Sequence, residues 1–150
     1  FIAEKEKISL EEVIDILNKK SGVYGLSNNL SSDFRDLGNA ANSGDKFAMA
    51  ALDVFQNRVV KTVGSYIAEM NGVDAIAFTA GIGENDAAVR AAVVDSLSYL
   101  GIKLDHEKNL MRGGNRVITT DDSKIPVCVI PTNEELAICR DTVAIVKKLK

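Results

Sequence analysis

The sequence contains no tryptophan, one histidine, two cysteines and two prolines, and only 5% of its 150 residues are aromatic. So few aromatic rings argue against a platform on which nucleic-acid bases stack. The net charge of −3 argues against the basic surface typical of nucleic-acid binding. The apolar runs are far shorter than the roughly 20 residues of a membrane span. Two cysteines are too few for a disulfide scaffold, which favours a cytoplasmic protein with reduced thiols.

Composition and length are those of a folded globular protein. Hydrophobic residues make up 46% of the chain and charged residues 26%, and a chain of this length can bury a core of ordinary size. No Pro/Gly/Ser-rich linker, internal repeat or low-complexity tract divides the sequence, so we predict one unit over residues 1–150. The chain begins at Phe1 with no signal-like apolar segment after it, which predicts a processed or truncated piece of a longer protein.

The first half of the chain predicts helices. Leu10 begins an apolar pattern with helical spacing, and Ser9 and Glu12 have the spacing of a capping box, in which each side chain bonds an N–H group of the first turn. A longer helix is predicted over residues 45–70. Its expected buried stripe consists of Leu52, Phe55, Val59, Val63, Ile67 and Met70.

Strands and helices alternate in the second half. We predict strands over residues 74–79, 117–120 and 127–130, and helices that begin near Asn85 and at Thr132. The expected inward face of the last helix consists of Leu136, Cys139, Val143 and Val146. Alternation of this kind predicts an α/β sheet domain.

The most informative segment joins the first predicted strand to the helix that follows it, with the sequence Thr-Ala-Gly-Ile-Gly-Glu-Asn at residues 79–85. Gly81 and Gly83 are expected to make a tight turn. Glycines let the backbone approach a ligand, and the N–H groups at a helix start favour an anionic ligand or a nucleotide. A turn without a ligand fits the spacing equally well. The third glycine of a dinucleotide fingerprint and the Gly-Lys-Ser/Thr of a P-loop are both missing.

A second candidate segment is Ser-Ser-Asp-Phe-Arg-Asp at residues 31–36. Its serines and Asp33 are typical of a helix cap. Phe34 is expected to pack on a flat group, either a base or a neighbouring side chain, and Arg35 to stack on a ring or pair with a carboxylate. Judged by itself, the segment favours a capped turn with a surface ion pair.

A third segment, Pro-Thr-Asn-Glu-Glu at residues 131–135, follows the last predicted strand. Thr132 and Glu135 have capping-box spacing, which gives Glu135 a structural role. Glu134 keeps a free carboxylate in the first helical turn. It is either a partner of the helix dipole or, at the carboxyl end of a strand, a candidate ligand of Mg²⁺.

The single histidine and the cysteines are not expected to carry chemistry. His106 lies in a charged segment, which predicts a surface position. Cys128 and Cys139 fall on apolar faces and are expected in the core.

Four segments together resemble the acetate kinase family, the short-chain acyl kinases that include propionate kinases. In chain order they are Ser-Gly-Val-Tyr-Gly-Leu-Ser at residues 21–27, Ser-Ser-Asp-Phe-Arg-Asp at 31–36, Phe-Thr-Ala-Gly-Ile-Gly-Glu-Asn at 78–85 and Ile-Pro-Thr-Asn-Glu-Glu at 130–135. The resemblance runs along the whole chain but covers only the C-terminal part of the family's subunit. It implies the α/β, ribonuclease-H-like fold of actin, hexokinase and Hsp70-type ATPases, in the form of the later portion of the second domain and the C-terminal helix.

The resemblance also implies site residues. Contacts to the adenine nucleotide would come from Asp33, Phe34, Arg35, Gly81, Ile82, Gly83, Glu84 and Asn85. The Glu134 carboxylate would associate with Mg²⁺. The implied reaction is ATP + acetate ⇌ ADP + acetyl phosphate, in a cytoplasmic homodimer, and such phosphoryl transfer depends on positioning and charge neutralisation.

The catalytic half of the family is not matched by any residue here. Its acetate pocket, catalytic aspartate, transition-state histidine and arginine, and magnesium-side asparagine all lie earlier in the family's subunit. We therefore expect no catalytic residue in this chain and no turnover by it alone. Two alternatives are the C-terminal part of a propionate kinase and a non-catalytic nucleotide-binding or dimerisation module. Nucleic acid and membrane are not expected partners.

Overall fold

The computed structural model describes residues 1–149, which form two compact units. The first unit is Phe1–Glu69, and the second begins at Met70. The sequence predicted one unit because no linker composition marks the junction. The Asn71-Gly72 turn that follows α5 has the same residues as an ordinary helix-to-strand connection.

The first unit is entirely helical within the described chain. Its helices are α1 (Ile2–Glu6), α2 (Leu10–Asp15), α3 (Gly22–Leu26), α4 (Phe34–Asn42) and α5 (Lys46–Glu69), and a π-helical turn, Ile16–Lys20, follows α2. The predicted capping box at the start of α2 is confirmed. The Ser9 hydroxyl accepts from the Glu12 N–H at 3.2 Å, and the Glu12 carboxylate accepts from the Ser9 N–H at 2.8 Å.

The long predicted helix is confirmed as α5, but its most buried positions differ from the expected ones. Ala48 and Ala51 are fully buried, together with Leu37 of α4. Small side chains let α4 approach α5 closely, so the contact falls one turn earlier than a search for large apolar residues indicates. The expected stripe is half-buried from Leu52 to Ile67, whereas Met70 lies beyond the helix and is 60% exposed.

The second unit has the predicted α/β composition. Its strands are β1 (Ile76–Phe78), β2 (Arg116–Val117) and β3 (Val127–Val129), and its helices are α6 (Ala80–Asn85), α7 (Ala87–Ser96), α8 (His106–Leu110) and α9 (Glu134–Lys148). A 3₁₀ turn, Ser98–Leu100, follows α7.

The three strands form one sheet with the order β1-β3-β2. β3 is central: it pairs in parallel with β1, with Phe78 opposite Val129, and antiparallel with β2. Val127 and Val129 are fully buried, and Val93 of α7 packs in the same core. Because β1 and β3 are parallel neighbours, the segments that leave their carboxyl ends start side by side.

Two local predictions in this unit are wrong. Gly81 and Gly83 do not make a turn after β1; the residue in the left-handed conformation is Ala80, whose φ is 58°, and both glycines lie inside α6. α7 then begins at Ala87 with the Asp86 side chain as its cap.

The inward face predicted for the last helix is also wrong. No residue of α9 is buried in the described chain; Leu136, Val143 and Val146 are 41–47% exposed, and Cys139 is exposed as well. The amphipathic pattern is present, but no element of residues 1–149 covers the apolar face enough to bury it. Cys128, by contrast, is half-buried in β3. Among the helices of residues 1–149, none is long and apolar enough to cross a membrane.

Candidate functional site at the strand ends of the second unit

The site is built where β1 and β3 end. The Ile130 N–H donates to the Phe78 carbonyl at 2.9 Å, which extends the parallel pairing by one residue. After β1 the chain enters α6, which contains the segment 81–85; after β3 it passes through residues 131–133 into α9. In α/β sheets ligands bind at such carboxyl edges. Two of the three segments singled out from the sequence therefore meet at one edge.

The two glycines of α6 have different surroundings. A Cβ atom added to Gly83 would lie 3.3–3.5 Å from the Phe78 backbone and Cβ, so α6 packs tightly on the end of β1 at this point. A Cβ added to Gly81 would meet nothing within 4 Å. Gly83 thus serves the packing of the helix on the strand, whereas the backbone at Gly81 is open to a ligand.

Ala80 holds the chain in a left-handed conformation directly before these glycines. Its φ of 58° is a region that residues with a Cβ seldom adopt and that costs roughly 1–2 kcal/mol. Strained backbone of this kind is concentrated at functional sites. The strain turns the chain from an extended Thr79 straight into α6.

A buried arginine that was not predicted from the sequence holds α6 through hydrogen bonds to its backbone carbonyls. Arg90 of α7 is 1% exposed. Its Nη1 donates to the carbonyls of Gly83 and Glu84, both at 2.9 Å, and its other nitrogens donate to the side-chain and backbone oxygens of Asn109. Burial lowers the pKa of Arg90, yet an arginine stays charged under all ordinary conditions. The sequence signal that could have indicated a buried Arg90 is its position among the apolar residues of α7, next to Val89.

Glu84 connects α6 to the segment that follows β3. Its Oε1 accepts from the Thr132 N–H at 2.8 Å and from the Thr132 hydroxyl at 3.0 Å. The bond from the Thr132 N–H is the main cause that lowers the pKa of Glu84, and the Thr132 hydroxyl lowers it further. The two residues are 48 positions apart in the chain, so no local pattern indicated their contact.

The contact to Glu84 also overturns the predicted cap of the last helix. The cap is Asn133, whose Oδ1 accepts from the Leu136 N–H at 3.0 Å, because Thr132 is occupied by Glu84. Glu135 therefore has no capping role. Within residues 1–149 the carboxylates of Glu134 and Glu135 are both exposed and make no hydrogen bond or ion pair that fixes either one.

The donors at this edge fit Mg²⁺ bound to a nucleotide. Glu134 and Glu135 line a surface depression together with Thr132 and Asn133. Residues 1–149 contain no cluster of three or more acidic, cysteine or histidine side chains that would hold a metal ion by themselves. Mg²⁺ is commonly held by one or two carboxylates together with substrate phosphates and water, and the exposed carboxylates of Glu134 and Glu135 each meet that requirement.

Residues 33–35 lie in the first unit, where local contacts account for their side chains. Asp33 caps α4 by accepting from the Arg35 N–H at 2.8 Å, and it also pairs with the Arg35 guanidinium at 3.1 and 2.6 Å. This pairing holds the pKa of Asp33 at about 2. Phe34 packs edge-to-face on Phe55 of α5 with 4.6 Å between the ring centroids. Of the sequence alternatives, Phe34 thus packs on a neighbouring side chain and Arg35 pairs with a carboxylate.

His106 is exposed at the start of α8, as predicted. Within residues 1–149 no hydrogen bond links His106 to Glu84 or Thr132.

Comparisons with known proteins agree on one family. The sequence pattern of the Acetokinase family matches residues 1–140. The chain is 60% identical over 146 residues to the acetate kinase of Lachnoclostridium phytofermentans, an alignment that covers 97% of the chain and 37% of that relative. The chain thus spans little more than a third of the length of the curated relative.

Solved structures show the same fold. The structure of the Porphyromonas gingivalis acetate kinase matches 97% of the chain and 37% of that protein, with a TM-score of 0.87 and 39% identity. A propionate kinase from Francisella tularensis matches 90% of the chain and 34% of that protein, with a TM-score of 0.79 and 38% identity. These similarities confirm the fold that the sequence resemblance implied, and the chain matches about a third of each of these longer proteins.

Proposed function

The chain belongs to the acetokinase family, and on that premise we propose that it is the C-terminal, nucleotide-binding part of an acetate kinase. The longer protein would catalyse ATP + acetate ⇌ ADP + acetyl phosphate. The observation that carries this proposal is the meeting of α6 and residues 131–134 at one sheet edge through the bond between Glu84 and Thr132. It supports a role at the phosphates for residues 81–85, where the Gly81 backbone is open.

Residues 33–35 are proposed as further contacts to the nucleotide. Asp33 and Arg35 are held by each other in the first unit, with Arg35 exposed, and an exposed planar guanidinium is suited to stacking on a base. The Phe34 ring packs edge-to-face with Phe55, which holds it at the start of α4 beside Asp33 and Arg35, and Phe34 is proposed to contact the nucleotide with them.

Glu134 would be the residue of this chain that associates with Mg²⁺. The chemistry that Mg²⁺ would supply when bound with the nucleotide is neutralisation of the charge that develops during phosphoryl transfer. The chain's own contribution is to hold one exposed carboxylate in the first turn of α9, next to the segment that would bind the phosphates. The choice of Glu134 over Glu135 rests on the resemblance, since the capping argument that separated them is wrong.

Three further properties of the proposal concern the chain as a whole. By itself it would not turn over acetate, because the family's catalytic residues have no counterpart in it. The complete protein would be a homodimer, and the exposed apolar side chains of α9 are compatible with a covered face there. Two free cysteines in the described chain favour the cytoplasm.

Nucleotide binding is tested by titrating ADP with Mg²⁺ into the isotope-labelled chain and following amide chemical shifts. We expect the largest shifts at residues 81–85 and 33–35 and smaller ones near Glu134. Shifts confined to other segments would refute the proposed site. A coupled assay of the same sample should detect no acetyl phosphate formation, and turnover typical of a complete kinase would contradict the expected lack of activity.

A propionate kinase is the second candidate, because a propionate kinase structure matches 90% of the chain. The two candidates share the nucleotide part and differ in acyl substrate. The ratio of kcat/KM for acetate to that for propionate, measured on the longer protein, separates them: a ratio above one supports the acetate kinase and a ratio below one the propionate kinase.

A further inference from the structure

We propose that Glu84 is a positioning residue whose carboxylate, by holding Thr132, sets the place of Glu134 relative to the glycine segment. This role rests on the proposed nucleotide site and deepens it. It assigns to the Glu84 side chain a task other than contact with the nucleotide, while the backbone of its segment keeps that contact.

Two hydrogen bonds to Glu84 hold Thr132 in place. One carboxylate oxygen of Glu84 accepts from both the N–H and the hydroxyl of Thr132, at 2.8 and 3.0 Å. Two donors from one residue on one acceptor fix both the position and the rotation of that residue. Thr132 lies two residues before Glu134 and directly before Asn133, which caps α9. The bond therefore fixes the start of the helix whose first residue is Glu134.

Glu84 is itself held in place by hydrogen bonds to its backbone carbonyl. The Glu84 carbonyl accepts from Nη1 of the buried Arg90 at 2.9 Å and from Nη2 of Arg116 at 3.4 Å. Arg90 is fixed in turn by the side chain and backbone of Asn109. A chain of contacts thus runs from α7 and α8 through Glu84 to Thr132, and each link is formed within the second unit.

The parallel strand pair does not fix this arrangement by itself. β1 and β3 hold their ends together only as far as the bond between Ile130 and Phe78. Beyond it, the hydrogen bonds to Glu84 are the ones that tie Thr132 to α6 in the described chain. Without them, Pro131 and Thr132 would be a loop attached to the sheet at one end only, and Glu134 would move with it.

The test uses the 150-residue chain and three variants, Glu84→Ala, Glu84→Gln and Glu135→Ala. Glu84→Ala removes the acceptor, whereas Glu84→Gln keeps an oxygen that accepts from both donors. Glu135→Ala is the matched control, because it removes a neighbouring carboxylate that holds nothing within the described chain. Exchange of the Val93 and Ile118 amides, both in the core, reports whether each variant is folded.

We expect Glu84→Ala to speed hydrogen exchange at the Thr132 amide about tenfold, Glu84→Gln to restore most of the protection, and Glu135→Ala to change nothing there. We also expect Glu84→Ala to weaken binding of MgADP more than binding of ADP in the presence of a chelator. A merely structural role would weaken both equally, so this difference identifies positioning of the magnesium-side carboxylate.

Each of the following results would overturn the inference. Unchanged exchange at Thr132 in Glu84→Ala would show that the bond is not formed in solution. Faster exchange with equal losses for MgADP and ADP would show that the bond has no positioning role. If the unchanged chain binds no MgADP, the proposed function fails and the positioning role fails with it. Normal MgADP binding by both the unchanged chain and Glu84→Ala overturns the positioning role alone.

A second variant, Thr132→Val, is used if Glu84→Ala does not fold. It loses only the hydroxyl bond, so we expect the same pattern with a smaller effect. Normal exchange and normal MgADP binding by Thr132→Val would contradict the inference.

Discussion

The two units hold their candidate residues in different ways. In the first unit, Asp33 and Arg35 satisfy each other at a separation of two residues, and Phe34 packs on the next helix. In the second unit, Glu84 and Arg90 are satisfied by residues 48 and 19 positions away. The first group needs only α4 and its neighbour to keep its geometry, whereas the second needs the whole sheet edge. Substitutions in the second group should therefore perturb residues farther along the chain than substitutions in the first group.

The largest effect is expected from Arg90→Ala. The change removes a buried charge and its four hydrogen bonds, so the Gly83 carbonyl and both Asn109 oxygens lose this donor and the Glu84 carbonyl keeps only the longer bond from Arg116. We expect the free energy of unfolding of the chain to fall by about 3–5 kcal/mol, measured by urea denaturation. Arg90→Lys keeps the charge without the planar fork and should lose less. A loss below that of an ordinary surface change would show that the second unit does not depend on this cluster.

A smaller effect is expected from Phe34→Leu in the first unit. The change keeps an apolar side chain and removes the edge-to-face contact with Phe55 at 4.6 Å, so the free energy of unfolding should fall by about 1 kcal/mol. Amide shifts should stay within α4 and α5. Shifts of comparable size in residues 81–85 would contradict the contrast between a locally held and a widely held group.

The strain at Ala80 predicts a gain in stability. Ala80→Gly removes the Cβ that disfavours a φ of 58°, and we expect the free energy of unfolding to rise by up to about 1 kcal/mol. Gly81→Ala is the converse case, because its Cβ would meet no neighbour within 4 Å and its backbone needs no left-handed conformation, so adding a Cβ there should also stabilise the chain. A fall in the free energy of unfolding of Ala80→Gly would show that Ala80 stores no strain.

The smallest expected effect is the response of the two units to low pH, through protonation of Glu84 in the second unit and Asp33 in the first. Both pKa values are lowered on folding, so each carboxylate stabilises the folded chain above its unfolded pKa and loses that contribution as pH falls through its folded pKa. Glu84 starts from an ordinary value of 4.5, and Asp33 has a folded pKa of about 2. In an amide-shift titration towards low pH, Thr132 should therefore respond below pH 4.5, and Arg35 near pH 2. A response of Thr132 centred above pH 4.5 would contradict its assignment as the partner of Glu84.

Local features could be predicted from the sequence. The capping box at Ser9, the long helix α5 and the exposed His106 each depend on residues a few positions apart. The α/β order of the second half follows from alternating periodicity, and the family resemblance implied the fold that the similar structures confirm.

Contacts between distant residues could not be predicted. Nothing in the spacing of residues 131–135 shows that Thr132 is bound by Glu84, and so the cap was assigned to Thr132 and Glu135 when it belongs to Asn133. Arg90 was overlooked because a charged residue on a helix normally faces water, and its partners lie on α6 and α8. The glycines were assigned to a turn because the pattern does not show that Ala80 adopts the left-handed conformation instead.

The most direct test of the central claim, that this chain binds an adenine nucleotide with Glu134 on the magnesium side, is calorimetric titration of ADP with and without Mg²⁺. The chain, Glu134→Gln and the matched control Glu135→Gln are compared at constant pH. We predict that Mg²⁺ strengthens ADP binding in the unchanged chain and in Glu135→Gln, and that this gain is lost in Glu134→Gln while binding of ADP alone is retained. An equal gain from Mg²⁺ in all three proteins, or no ADP binding by the unchanged chain, would contradict the account.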